Sequence, residues 1–128
     1  MMKKLTIILL TSSAMGSMCT PQPVTITVQY ANSLDIRVAF QAVDSTNTLL
    51  ENSLISLPEK DGTQPRVAEA ITMTGMPPFT FSAPNQLGQD FCVIPTIIGE
   101  TGFERFVWRV EATERGLECA NDQGTVDP

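Results

Sequence analysis

Val24-Thr25-Ile26-Thr27-Val28-Gln29-Tyr30 alternates apolar and polar residues without a break. That period of two is the pattern of a half-buried strand, because successive side chains of an extended chain point to opposite faces. Its inward face is Val24, Ile26, Val28 and Tyr30. Asn32-Ser33 reads as a turn. Leu34, Ile36, Val38, Phe40 and Ala42 then share one face, with Asp35, Arg37 and Gln41 on the other. Two consecutive strands of this kind cannot stand alone, since each leaves one face that must be covered by another sheet.

The rest of the chain continues in the same idiom. Asp44-Ser45-Thr46-Asn47 is loop chemistry, and a strand is expected near Leu54–Leu57. Glu59-Lys60-Asp61-Gly62 is a turn signal, with Asp-Gly suited to positive φ. Val67 to Thr74 reads as a strand that Gly75-Met76-Pro77-Pro78 stops, because proline cannot donate to a ladder. Phe79-Thr80-Phe81 is a short strand, and Ala83 to Gly88 a loop. Phe91–Ile98 and Phe103–Thr113 flank Gly99-Glu100-Thr101-Gly102 and read as a hairpin. Pairing Ile98 with Phe103 places Phe91, Val93 and Pro95 on one face with Phe106, Trp108 and Val110. No helix, internal repeat or low-complexity segment stands out. Six to seven short strands at about ten-residue spacing point to an all-β fold, an antiparallel β-sandwich of immunoglobulin-like architecture.

Ahead of this lies a different kind of sequence. Met1-Met2-Lys3-Lys4 is a short positive segment, followed at once by the apolar run Leu5–Leu10 and then by small residues. The run is too short to span a membrane, which takes about 20 residues, and has the form of an export signal. The organisation expected is a signal peptide over 1–19, a stiff Thr20-Pro21-Gln22-Pro23 spacer, the β-sandwich over 24–119 and a flexible tail over 120–128. Loss of Lys3 and Lys4 with the leader takes the net charge from −6 to −8. Such a surface repels phosphate backbones, so nucleic acid is not an expected partner. The expected location is exported: periplasmic, cell-surface or secreted.

There are three cysteines and no histidine. Without histidine the commonest general base, the commonest metal ligand and every Ser-His or Cys-His nucleophile are gone. No C-x-x-C pair suggests zinc. An exported domain with three cysteines has one left over. The simplest pairing is Cys92 with Cys119, although the hairpin register above puts those two sulfurs on opposite faces and needs a one-residue shift to meet. Cys19 remains. Its position directly after the apolar leader resembles the modified cysteine of bacterial lipoproteins, whose pattern wants an aliphatic residue three before it and a small residue just before it. Here Gly16-Ser17-Met18 precede it. That resemblance implies lipid on Cys19 and hence contact with a membrane. The competing reading is ordinary cleavage after Ala14-Met15-Gly16, or after Ser17-Met18-Cys19, which would discard Cys19.

Other constellations carry bland readings. Glu104, Glu111 and Glu114 are carboxylates near one strand, Asp44–Asn47 and Asn85–Asp90 are oxygen-rich loops of a kind that can hold calcium, Phe91, Phe106 and Trp108 form an aromatic set, and Arg105 and Arg109 a cationic pair. Solvation, core packing and cross-strand pairing account for each. The run Met76-Pro77-Pro78-Phe79 is the one loop with exposed apolar potential. The expectation is therefore a binding module with no catalytic site, cofactor or metal, its partner a protein or cell-envelope component. A subunit of a surface assembly that adds strands to its neighbour is the alternative, and a small carboxylate-based enzyme comes behind both.

Overall fold

The computed structural model describes residues 22–95, 107–121 and 124–125. The strands are β1 (Val24–Asn32), β2 (Val38–Val43), β3 (Ile55–Leu57), β4 (Arg66–Val67), β5 (Ile71–Gly75), β6 (Phe79–Ser82), β7 (Phe91–Ile94), β8 (Val107–Thr113), β9 (Gly116–Asn121) and β10 (Gly124–Thr125). A 3-10 turn covers Glu51–Ser53, and one helical turn, α1, covers Pro84–Leu87. None of the helices among the described residues is long and apolar enough to cross a membrane.

Two sheets pack face to face. One has the order β10-β9-β8-β1-β4, with β5 also on β1, and the other the order β3-β2-β6-β7. β4 and β5 lie end to end along the same edge of β1, so ten strands fill nine positions. Their break is a bulge: between the Ala31↔Val67 and Val28↔Ile71 pairs, Gln29 and Tyr30 face Ala68, Glu69 and Ala70. β1 and β8 run parallel, so the first sheet is mixed and not wholly antiparallel as expected. The strand order also departs from an immunoglobulin domain, where the first two strands share a sheet. Here β1 and β2 lie in different sheets.

The period-two reading of the first strands holds where it matters. Ile26, Val28 and Tyr30 of β1 and Val38, Phe40 and Ala42 of β2 are buried between the sheets. Tyr30 stacks on Phe40 at 4.6 Å and meets Phe81 edge-on at 6.1 Å, a geometry aromatic quadrupoles favour. Ile36 was expected inward but is 52% exposed, because β2 begins only at Val38. Asp61-Gly62 does turn the chain, with Gly62 at φ +63° and Asp61 and Gln64 bonded across it.

The expected hairpin of Phe91–Ile98 with Phe103–Thr113 does not form. β7 pairs with β6, in the register Phe81↔Cys92, and β8 pairs with β1 and β9. The turn proposed between them, Gly99–Gly102, lies outside the described residues. With its neighbour changed, β7 also reverses its faces: Cys92 and Ile94 point inward, and Phe91 is 55% exposed. The reversal expected near Arg115-Gly116, folding the chain back beside the last strand, is present as the β8–β9 pairing, but the flexible tail expected over 120–128 begins in strand. β9 runs through Cys119 to Asn121, burying Leu117 and Cys119, and β10 pairs back onto it at Asn121↔Gly124.

Buried polar groups hold the loops to this frame. Asn32 is fully buried at the end of β1. Its Nδ2 donates to the carbonyls of Ile36 at 2.9 Å and Pro58 at 2.8 Å, and its Oδ1 accepts from the Leu34 N–H at 2.9 Å. The expected Asn32-Ser33 turn is thus a buried amide that organises two loops. Tyr30 Oη donates to the Ser53 carbonyl at 3.0 Å, and burial drives its phenol well above its ordinary pKa. Ser53 Oγ accepts the Ala42 N–H at 2.9 Å, standing in for a strand neighbour. Gln86 of α1 does the same for the Ala39 N–H at 2.9 Å.

Candidate functional site

The Met76–Phe79 loop joins β5 of one sheet to β6 of the other. Pro78 is exposed, Met76 and Pro77 are partly so, and the Pro77–Pro78 bond is cis. Phe79, expected among the contact residues, is instead fully buried in the core and cannot meet a partner. The contact surface reduces to Met76-Pro77-Pro78, with Phe79 as its root.

Asp44 holds this loop from behind. Its Oδ1 accepts from the Thr46 hydroxyl at 2.7 Å and from the N–H groups of Thr46 and Thr48 at 3.0 and 3.2 Å; its Oδ2 accepts from the Met76 N–H at 3.0 Å. The Ser45 N–H adds a bond to the Met76 carbonyl at 2.8 Å. Hydrogen bonds to a carboxylate favour its charged form. The Thr46 hydroxyl, then the Met76 N–H, lower the Asp44 pKa to about 2. Gly75 permits the approach: a Cβ there would lie 3.0 Å from Asp44 Oδ2 and 3.2 Å from the Phe79 ring. The Asp44 carboxylate therefore spends its oxygens on N–H and O–H donors rather than facing them toward a cation. The Asx-turn signature of Asp followed by Ser and Thr could have disclosed the local part of this arrangement. The bond to Met76, far along the chain, had no local signal.

The second oxygen-rich loop is also occupied. Gln86 caps Ala39, and Asp90 Oδ2 accepts the Leu117 N–H at 2.7 Å. Among the described residues, no cluster of three or more His, Cys, Asp or Glu side chains could hold a metal.

Cys92 and Cys119 are bonded, with Cα atoms 5.7 Å apart. The bond links β7 of one sheet to β9 of the other. The facing difficulty raised by the expected register vanishes with that register, since both sulfurs point into the interface. Cys19, Glu104, Arg105 and Phe106 lie outside the described residues. The aromatic set divides: Trp108 is in the core and Phe91 on the outside of the other sheet. Arg109 pairs with Glu111 on its own strand at 3.3 Å. Glu111 stands opposite Glu118, a carboxylate pair that sequence reasoning missed. Each has its own arginine, Arg115 reaching Glu118 at 2.8 Å, and Glu111 also accepts the Ser33 hydroxyl. The pair lies on the open outer face of a hairpin, and each member is already neutralised. Glu114 is exposed in the turn that follows.

Comparison with known proteins adds no relative: no family model, no curated protein and no solved structure matches the chain.

Proposed function

We propose that the chain is an exported β-sandwich binding module that works through the end of the sandwich carrying Met76-Pro77-Pro78, without catalysis and without a cofactor. The observation that carries this reading is the Asp44 clamp. It fixes an apolar, proline-rich loop in an outward position, and a loop ordered before it meets a partner loses less entropy on binding. What the reading keeps of the immunoglobulin-like expectation is the architecture, two packed sheets tied by a disulfide between them. The alternative of a subunit that donates its first strand is disfavoured by β1, which has β8 on one side and β4 and β5 on the other within its own sheet. The enzyme reading gains nothing from Glu111 and Glu118, which are ion-paired and uncovered.

The test is site-specific photo-crosslinking in an exporting bacterial cell. A photoreactive residue replacing Pro78 is expected to give a discrete adduct, and one replacing exposed Glu114 at the opposite end none. Equal or absent labelling at both positions would overturn the assignment of the contact end.

A further inference from the structure

The two outer faces of the sandwich differ in charge. Across the β3-β2-β6-β7 sheet, the registers Gln41↔Ser82↔Phe91 and Val43↔Thr80↔Val93 line two rows on the side away from the core. Ala39 opposite Ser56 completes that side. None of these strand positions is charged. Leu49, bridged to Val43, extends the second row. Leu54, in extended backbone just ahead of β3, shares the outward phase of Ser56. Phe91, Leu49 and Leu54 are 55%, 44% and 54% exposed. The other sheet presents Arg109, Glu111 and Glu118 outward, so its exposed Val67 and Val107 belong to a charged face.

The charged residues next to the uncharged face lie at its rim or turn away from it. Arg37, ahead of β2, donates to the Ser56 hydroxyl at 3.2 Å. Glu51 is in the 3-10 turn at the β3 edge. Asp44 and Asp90 accept the N–H groups of Met76 and Leu117. An uncharged centre of aromatic and aliphatic residues inside a polar rim is the make-up of a protein interface. The lack of charge also selects the partner. A partner of different sequence can set an opposite charge against any charge here, so it imposes no neutrality. A second copy related by a two-fold axis sets each residue near the axis against itself, so a charge of either sign there would repel. With a net charge of −6, two copies repel at long range, and a face without charge is where that repulsion is least. Gln41, Thr80 and Ser82 each carry both a donor and an acceptor, so an identical face can satisfy them.

We infer that the outer face of the β3-β2-β6-β7 sheet pairs with the same face of a second copy of the chain, about a two-fold axis near the central strand β6. This goes beyond the binding-module reading and does not rest on it. The face spans four strands about 4.8 Å apart and about five residues at about 3.3 Å each, a footprint of roughly 300 Å². A standard interface takes about 800 Å² from each partner, so this dimer is transient.

The test is sedimentation equilibrium of the protein as recovered from an exporting bacterium, from micromolar to millimolar concentration. The weight-average mass should rise with concentration toward that of a dimer. Ser82→Asp and Ser82→Arg each place one sign of charge beside the axis, and each alone should weaken association at least about tenfold. Their equimolar mixture should recover it, because unlike charges then meet. Thr72→Asp, on the outer face of the other sheet, should associate as the wild type does. Cooperative urea unfolding checks that each variant folds, and Thr80→Asp with Thr80→Arg, on the same central strand, replace the pair if position 82 does not tolerate a charge. A wild type that stays monomeric throughout would overturn the inference and leave the face to a different partner. So would charged variants that associate as before, a mixture that stays monomeric, or equal loss of association in Thr72→Asp. None of these outcomes bears on the crosslink expected from position 78.

Discussion

Replacing Asp44 by Asn isolates the charge of the clamp while keeping its size. In the native protein four donors converge on the carboxylate. An amide turns one acceptor into a donor, and that NH2 must face either the Met76 N–H or the three donors of Thr46 and Thr48. The group is 9% exposed, so solvent still reaches it and part of the Coulombic gain is screened. A fall in pKa to about 2, against an ordinary carboxylate near 4, then corresponds to roughly 2 kcal/mol at neutral pH. The sign follows from the direction. The folded value lies below the unfolded one, so the contribution is complete above pH of about 4 and is lost as pH falls through about 2. Asp44→Asn should therefore lower the urea midpoint at pH 7 by between about 1 and 2 M. The gap between wild type and variant should narrow below pH 4 and close near pH 2. Equilibrium urea unfolding at a series of pH values measures both. A gap that stays constant from pH 7 to pH 2 would refute the charge argument and leave only a packing effect.

Other consequences follow from named contacts. Asn32→Asp should cost at least about 3 kcal/mol at pH 7, because a buried carboxylate would face the carbonyls of Ile36 and Pro58; urea unfolding reads it, and an unchanged midpoint would show that the two loops do not depend on the amide. Gly116 sits at φ +121°, and a Cβ there would come within 1.9 Å of Asp90 Oδ2. Gly116→Ala should lower Tm by at least about 8 °C, with partial rescue by Asp90→Ala in a double-mutant cycle, and full additivity would argue against the clash. Tyr30→Phe should cost about 1 kcal/mol, the usual value of one buried hydrogen bond, here to the Ser53 carbonyl. Replacing both Cys92 and Cys119 by Ser should cost about 3.5 kcal/mol on the chain-entropy account, given a sequence separation of 27, and calorimetry of the variant checks it.

The inward faces of β1, β2, β6 and β8 were legible because each carries polar residues that mark the outer phase: Thr25, Thr27 and Gln29 on β1, Arg109 and Glu111 on β8. β7 has no such marker. Phe91-Cys92-Val93-Ile94 is apolar throughout, so periodicity allows either face to be inside. The choice fell to the strand assumed beside it. Taking β8 as that neighbour put Phe91 inside and the cysteines on opposite faces. The true neighbour, β6, reverses both. β9 does alternate, with Leu117 and Cys119 inward and Glu118 outward, but it is short and follows a polar turn. The parallel pairing of β1 with β8 joins segments from opposite ends of the chain, and nothing local in either encodes it. Of the candidate site, the loop itself was visible as a proline pair. Its clamp was not, because the Asp44–Met76 bond spans two sheets.

The central place of β1 has a consequence for how this protein is made. Val28 lies beside Trp108 and Tyr30 beside Val110, so the first strand to be synthesised finds one of its two neighbours only when most of the chain has followed it. Until then one edge of β1 is open and the interface around Tyr30 is incomplete. A fold that closes through its first and last thirds is slow by topology. It also makes the N-terminus unforgiving. Among the described residues, removing Gln22 and Pro23 takes nothing from either sheet, whereas a cut inside β1 separates the β8-β9-β10 ladder from β4 and β5 and leaves no sheet for β2, β6 and β7 to pack against.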